Sequence, residues 1–289
     1  MKKLLILVPT LNEAKTIGGL LKRLEIFRIN SGQNFDLIVI DDTSSDNTAA
    51  IVEAINYSWV KVLHRAKSGG LGAAYRAGFV MALDSDDYSH ILTMDGDGSH
   101  SVDDLASLIG AIKPGKSLVL GSRWIPGGSI QNWPKYREYL SKAGTRYAKF
   151  VLGINLSDLT SGYRIYSVEL LETLKLETMY ATGYCFQIEM AMAADLAGAT
   201  IVEVPITFVE RLDGTSKMSR AIVLEALIQT TRWALIRRLR PNADNLHYVR
   251  KSEPEINCWP TRLLERRSRL SSYLRRRHLF FRHLASTYF

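Results

Sequence analysis

The sequence predicts an α/β fold, a mostly parallel central sheet flanked by helices, in a single domain that carries a basic C-terminal tail. Three observations predict it. Apolar runs of strand length alternate along the chain with segments of helical period. The strand runs are continuously apolar rather than alternating, as strands covered on both faces must be. The polar and charged clusters fall at the ends of those runs, where open α/β sheets bind ligands.

Leu4–Val8 is the first predicted strand. The start MKKLLILVPTLNE has a passing likeness to a secretion signal, but its apolar run is only about six residues and no small-residue cleavage site follows. Glu13–Phe27 places Ile17, Leu20, Leu21, Leu24 and Phe27 on one helical stripe. Leu37–Ile40 is a strand ending in Asp41-Asp42, and Asp46 opens the next helix as its N-cap. Val60–Leu63 is a strand, Gly72–Leu83 a helix, and His90–Met94 a strand ending in Asp95-Gly96-Asp97. Val102–Ile112 is a helix and Leu118–Leu120 a fifth strand. Beyond Arg123 a loop, Ile125-Pro126-Gly127-Gly128, leads to a helix around Arg137–Leu152. A short strand at Tyr163–Tyr166, a helix near Tyr184–Ala197, a strand at Thr200–Val209 and a helix at Ser219–Ile236 complete the pattern.

No internal repeat or low-complexity linker divides the chain, so residues 1–236 read as one catalytic domain and 237–289 as a tail. Of the 37 Lys and Arg and the 29 Asp and Glu residues, 13 basic and 4 acidic ones lie between Arg237 and Phe289. That segment therefore carries +9 and the first 236 residues −1. This is a near-neutral body with a basic tail, not a uniformly basic nucleic-acid binder. Two cysteines, Cys185 and Cys258, argue against a disulfide framework and for a reducing compartment. No stretch reaches the roughly 18 apolar residues that span a bilayer. The nearest, Val223–Ile236, is interrupted by Glu225, Gln229 and Arg232.

Five consecutive predicted strands end in polar residues: Pro9-Thr10-Leu11-Asn12-Glu13, Asp41-Asp42, His64-Arg65, Asp95-Gly96-Asp97 and Gly121-Ser122-Arg123. Solvated turns and caps account for any one of these, but not for the set. In Asp95-Gly96-Asp97, two carboxylates two residues apart after a buried strand can reach one divalent cation, and Gly96 lets the backbone approach a ligand. Lys67-Ser68-Gly69-Gly70-Leu71-Gly72 has either free N–H groups for an anion or a close helix–sheet contact; it has neither the Walker order nor a dinucleotide fingerprint. Arg123, Arg137, Arg211 and Lys217 are scattered cations, the last two in a Gly-containing loop able to clamp a phosphate.

Taken in order, these motifs resemble inverting glycosyltransferases of the GT-A fold. Ser161-Gly162-Tyr163-Arg164, Gly183-Tyr184-Cys185-Phe186-Gln187-Ile188-Glu189-Met190 and Val204-Pro205-Ile206-x-Phe208-x-Glu210-Arg211, through Gly214-x-Ser216-Lys217-Met218, narrow the likeness to polyprenyl (dolichyl) phosphate mannose synthases over residues 3–236. The resemblance implies a GDP-mannose donor, a polyprenyl phosphate acceptor in a membrane, and Mg²⁺ or Mn²⁺. By position it implies that Pro9, Leu11, Glu13, Asp41 and Asp42 contact the nucleoside, with Gly96 and Gln187 also on the donor side. Asp95 and Asp97 would hold metal and diphosphate, and Arg123, Arg137, Ser141, Arg211 and Lys217 would gather phosphates. Leu11 stands where many members have Tyr, which removes a stacking contact to the base. Ser99 stands where some have Gln as a further metal ligand, leaving that place to water.

An anionic phosphate acceptor needs no general base; the obstacle is repulsion between two anions, which cations and a divalent ion offset. Direct displacement at the anomeric carbon would invert it. The same fold using UDP-glucose is the alternative donor reading, and an Arg-rich nucleic-acid module the alternative class, disfavoured because no nucleic-acid fold is recognisable. In the tail, Leu263, Leu264, Leu270, Leu274, Phe281 and Leu284 lie among arginines, either a basic amphipathic helix for an anionic membrane or a solvated segment. The expected setting is peripheral, at the cytoplasmic face of a membrane, with room for a separate membrane anchor protein and no nucleic acid partner.

Overall fold

The elements run β1 (Lys3–Thr10), α1 (Ile17–Ser31), β2 (Phe35–Asp41), α2 (Thr48–Ile55), β3 (Val60–His64), α3 (Gly70–Leu83), β4 (Tyr88–Thr93), α4 (Leu105–Gly110) and β5 (Ser117–Ser122). They continue with β6 (Ser129–Gln131), α5 (Lys135–Leu152), β7 (Arg164–Ser167), α6 (Val168–Thr173), α7 (Gly183–Leu196), β8 (Thr200–Pro205), β9 (Thr207–Val209) and α8 (Arg220–Leu239). The computed structural model describes residues 2–181, 183–210, 220–239 and 248–249, all of them within the unit Met1–Lys251.

Seven strands form one sheet in the order β3-β2-β1-β4-β7-β5-β8, all parallel except β7. The predicted burial on both faces is present. Leu5, Leu7, Ile38, Ile40 and Leu120 face a layer containing Tyr75 and Phe79 of α3 and the apolar side of α7. Ile6, Val8, Leu37, Val39 and Val119 face Leu20, Leu21 and Leu24 of α1 and Leu105 and Leu108 of α4. Each such side chain withdrawn from water contributes about 1.5–3 kcal/mol, so a continuously apolar strand is stable only between two helical layers.

Register aligns the functional ends. Thr10 pairs with Asp41 and Asp41 with His64, so three strands stop at one level. The chain leaves β1 towards β2 and β3, then returns to β4 on the other side of β1, which opens a crevice between the carboxyl ends of β1 and β4. The antiparallel strand β7 begins at that same edge, so the loop before it, Ser161-Gly162-Tyr163, also reaches the crevice.

Several predicted elements differ in detail. The helix expected from Glu13 starts at Ile17, because residues 13–16 form a turn in which the Glu13 carbonyl accepts from the N–H groups of Thr16 and Ile17. The helix expected from Val102 starts as a 3-10 turn, with Ser101 Oγ accepting from the Asp103 N–H. At the opening of α2 the N-cap position is Asn47, with φ of 65°, while the Asp46 carboxylate accepts from the Thr48 N–H and also from the Ala14 N–H. The single strand expected over Thr200–Val209 is two strands. Pro205 has no N–H to extend the ladder, and after Ile206 the chain pairs with β6 instead. Strand β6 and helix α6 have no predicted counterpart; both are too short to show a period.

Beyond residue 236 the Arg237 guanidinium donates to the Leu152 carbonyl at 2.6 Å and to Asp195. Tyr248 is buried, and its carbonyl accepts from the Lys175 N–H. The apolar and basic residues singled out from Leu263 onward lie outside the described residues.

Candidate active site

Asp95-Gly96-Asp97 follows β4 at the crevice. Gly96 is required there by packing: a Cβ would sit 2.9 Å from Thr10 Cγ2 and 3.2 Å from Val8 Cγ1 at the end of β1. The Gly96 carbonyl accepts from Thr16 Oγ1 at 2.9 Å. The Asp95 N–H donates to His100 Nδ1 at 3.0 Å, and the buried imidazole stacks on Tyr163. Asp97 Oδ1 accepts from the Ser99 N–H at 3.0 Å. Both carboxylates are half-buried, and both remain partly open to solvent.

The loop before β7 forms the other wall. A Cβ on Gly162 would lie 3.4 Å from Asp95 Oδ1 and 3.5 Å from Gln187 Nε2, so a larger residue would fill the space between these side chains. Gln187 Oε1 is buried with no hydrogen-bond partner among the described residues. Behind this wall the fully buried Arg164 donates to the carbonyls of Ser161, Leu159 and Gln187 at 2.8, 2.9 and 2.7 Å. It fixes both the loop and the start of α7 without using a carboxylate.

No group of three or more His, Cys, Asp or Glu side chains able to hold a metal occurs among the described residues. Asp95 and Asp97 still fit a divalent cation that takes its other ligands from a bound phosphate and water, and the amide of Gln187 stands on the same wall, its Nε2 facing the Gly162 position. Burial, with the charge of Asp95 adding to it, pushes the hydroxyl of Tyr75 well above its ordinary pKa.

Asp41 and Asp42 lie on the opposite side of β1. Asp41 is buried and accepts from Thr10 Oγ1 and from the Ser44 N–H. Asp42 pairs with Arg65, and its Oδ2 accepts from Ser68 Oγ at 2.7 Å and from the N–H groups of Gly69 and Gly70 at 3.2 Å. Two N–H groups of the glycine loop thus bond a carboxylate of the protein itself, and the close contact at Gly72 is with the segment leading into α7 rather than with the sheet. A Cβ on Gly72 would lie 2.5 Å from the Ala181 carbonyl oxygen, so this glycine serves close packing. Leu11 is half-buried, as are Pro9 and Glu13, and the Glu13 N–H donates to Thr48 Oγ1. Asn12 links the β1 and β2 loops, its Oδ1 accepting from the Ser45 N–H at 2.9 Å. Burial raises the pKa of Asp46, but hydrogen bonds from the Thr48 hydroxyl and the Ala14 and Thr48 N–H groups outweigh it and hold the carboxyl below its usual range.

Arg123 and Arg137 come together although they are 14 positions apart in sequence. Arg123 donates Nε and Nη2 to the two oxygens of Asp158 at 2.7 and 2.8 Å, and Nη2 also to Thr160. Burial disfavours the Asp158 carboxylate, yet the Arg123 charge and hydrogen bonds lower its pKa overall. Glu203 of β8 accepts from the N–H groups of Ser157 and Asp158 and so fixes that loop. Arg137, on the first turn of α5, pairs with Glu210. Both guanidinium groups lie over the ring of Trp133, at 5.4 and 4.7 Å. Ser141 is buried one turn further along α5. Arg211 and Lys217 lie outside the described residues.

A central sheet of this topology with paired carboxylates at its switch point agrees with the sequence match: the profile described as "Glycosyl transferase family 2" covers residues 5–175, more than half of the chain. The chain belongs to glycosyl transferase family 2. It is 39% identical over 241 residues to the polyprenol monophosphomannose synthase of Mycolicibacterium smegmatis, covering 82% of this chain and 89% of that protein. It is 42% identical over 238 residues to the undecaprenyl-phosphate mannosyltransferase of Micrococcus luteus, covering 82% and 96%. Among solved structures it is similar to glucosyl-3-phosphoglycerate synthase from Mycobacterium tuberculosis in complex with Mn²⁺, UDP-glucose and phosphoglyceric acid. That likeness has a TM-score of 0.56 and 18% identity over 82% of this chain and 79% of the other, and it carries the fold alone. This family 2 glycosyltransferase therefore has the GT-A-like fold that the motifs implied. No helix among its described residues is long and apolar enough to cross a membrane.

Two groups at the site carry no signal in the sequence. Asp158 and Trp133 acquire their surroundings only through contacts that the spacing along the chain does not announce. Arg164 belongs to a motif that is legible, but its role as a strut is not.

Proposed function

We propose that this glycosyltransferase moves mannose from GDP-mannose to a polyprenyl monophosphate with inversion, giving polyprenyl phosphate β-mannose and GDP. The carrying observation is the Asp95-Gly96-Asp97 pair at the β1–β4 crevice, walled by Gly162 and Gln187. Two relatives of nearly full coverage bear the names of polyprenol and undecaprenyl-phosphate mannosyl transferases, which supports both sugar and acceptor.

In this reading Pro9, Leu11, Glu13, Asp41 and Asp42 border the nucleoside, with Asp42 keeping the glycine loop in place. Asp95 and Asp97 would hold Mg²⁺ or Mn²⁺, with Gln187 and Gly96 shaping the donor side. A bound divalent ion supplies charge neutralisation to the departing nucleoside diphosphate. Arg123, Arg137, Ser141, Arg211 and Lys217 surround the phosphates, and their positive charge lowers the repulsion between acceptor and donor. The acceptor phosphate is already anionic at neutral pH, so its oxygen displaces the diphosphate without a general base. Attack from the side opposite the leaving group inverts the anomeric carbon.

Residues 1–236 would form the catalytic domain and 237–289 a tail that adds +9 beside an anionic membrane. Membrane contact has support from the exposed aromatic residues of α5. Arg137, Ser141 and Thr145 are buried, whereas Tyr136, Tyr139 and Phe150 are 70, 74 and 80% exposed. Helix α8, which packs on α5, exposes Ile228, Leu235 and Leu239. A peripheral position at the cytoplasmic face, alone or with a separate anchor protein, suits a soluble donor and a lipid acceptor.

Asp97→Ala tests the reading at its centre. The variant should lose two orders of magnitude or more, roughly, of mannosyl transfer in Mg²⁺ or Mn²⁺; a rate near wild type would remove the metal role.

A further inference from the structure

The roles above leave unused the aromatic rings packed around Arg123. Its guanidinium lies 5.3 Å from the Trp124 ring centre and 5.4 Å from that of Trp133. Arg137 lies 4.7 Å from Trp133 on that ring, and the Lys142 ammonium 4.6 Å from Trp124. Indole and cation alternate in one cluster, which Phe208 joins at 5.5 Å from Trp133.

The charges in this cluster are matched internally: Arg123 with Asp158, Arg137 with Glu210 and Lys142 with Glu138. Its hydrogen bonds are not. The indole N–H groups of Trp124 and Trp133 and the Nε–H of Arg137 are all buried without an acceptor among the described residues. Arg137 as a whole is 9% exposed. Indole and guanidinium nitrogens can only donate, and proteins rarely leave such donors buried and unmet. Three of them lie in one cluster, and a ligand that only accepts meets their chemistry. A phosphate monoester brings three terminal oxygens that accept strongly.

The surroundings also bear on what the phosphate is attached to. Helix α5 begins two residues after Trp133, and its first turns expose Tyr136, Tyr139 and Leu140. A phosphate bound at the cluster has an apolar aromatic surface beside it, which suits a hydrocarbon-bearing monoester better than inorganic phosphate.

We propose that Trp124 and Trp133, together with Arg137 Nε, form a donor cradle for the terminal oxygens of the acceptor's phosphate monoester. The proposal rests on the reading of the acceptor as a polyprenyl monophosphate. It makes the two tryptophans acceptor-binding residues in their own right, acting through their N–H groups in addition to their rings.

The test uses the full chain labelled with ¹⁵N at the indole nitrogens, five in all. Trp124→Phe and Trp133→Phe assign two of the signals, and each keeps a ring in place while removing one donor. The probes are a short-chain prenyl monophosphate, the corresponding alcohol and inorganic phosphate. The monophosphate should shift the Trp124 and Trp133 N–H signals and leave the other three in place; the alcohol should shift none; inorganic phosphate should need a higher concentration. Trp133→Phe should raise the Kd for prenyl monophosphate about tenfold and leave the KM for the nucleotide sugar unchanged, which also shows that the variant is folded. Unmoved indole signals at saturating prenyl monophosphate, in a protein that turns over, would overturn the cradle and leave the acceptor reading intact. Shifts with inorganic phosphate but none with prenyl monophosphate would overturn the assignment together with the acceptor reading it rests on.

Discussion

The Asp42 carboxylate accepts from Ser68 Oγ and from the N–H groups of Gly69 and Gly70 while it pairs with Arg65, so one side chain after β2 fixes the entry to α3. The sequence marks Asp42 as a polar strand end, but its partners lie 23 to 28 residues away and no spacing rule joins them. Asp95 and Asp97 are legible because the chemistry fits within three residues after a strand. Glu189 is the opposite case. It sits inside an apolar helix, and burial lifts its pKa from 4.5 to about 7 against the opposing hydrogen bond from Ala181, the charge of Arg76 and a hydrogen bond from Tyr248. Below pH 4.5 the group is protonated whether the chain is folded or not. Between there and pH 7 the unfolded chain ionises first, so folded stability falls as pH rises through that window. Glu189→Gln keeps an acceptor for the Ala181 N–H and removes the cost of ionisation. Relative to wild type it should gain stability at pH 8, on the order of 3 kcal/mol, and little at pH 4.5, as read by denaturant midpoints at the two values. A gain that is the same at both would show that the carboxyl is not titrating.

Strands and helices follow the periodicities in the sequence wherever they are long enough to show one. The helix boundary at Ile17, the break at Pro205 and the short strand β6 instead depend on single hydrogen bonds and on a partner strand far along the chain. Helix α3 packs on its neighbours through the large residues Tyr75 and Phe79 and through glycines that allow close approach. Gly72→Ala would force a Cβ to 2.5 Å from the Ala181 carbonyl oxygen, a backbone atom that cannot rotate away. Overpacking of this kind costs about 1–3 kcal/mol, more than the helix propensity gained. Gly19→Ala in α1 meets nothing within 4 Å and should gain about 0.5–1 kcal/mol. Thermal unfolding should therefore move the two variants in opposite directions; a stabilised Gly72→Ala would mean that α3 is not held that closely.

Across the molecule, six parallel strands bring distant loops to one edge, and the antiparallel β7 delivers Gly162 to the same place. The sequence foretells the edge through its run of polar strand ends. It does not foretell that Arg123 and Arg137 meet over Trp133, or that α5 buries Arg137, Ser141 and Thr145 beside Ala148 and Leu152 while exposing Tyr136, Tyr139 and Phe150. Those exposed aromatic side chains predict adsorption to a bilayer. Replacing Tyr136, Tyr139 and Phe150 together by Ser should cut co-sedimentation with anionic liposomes several-fold without lowering the melting temperature, since all three are exposed; unchanged co-sedimentation would assign membrane contact elsewhere. The most direct test of the whole account is transfer of label to a short polyprenyl monophosphate from GDP-mannose and, in parallel, from UDP-glucose. The account predicts a β-linked lipid phosphate mannose from GDP-mannose and negligible product from UDP-glucose. Equal or faster transfer from UDP-glucose, or no lipid product from either donor, would contradict it.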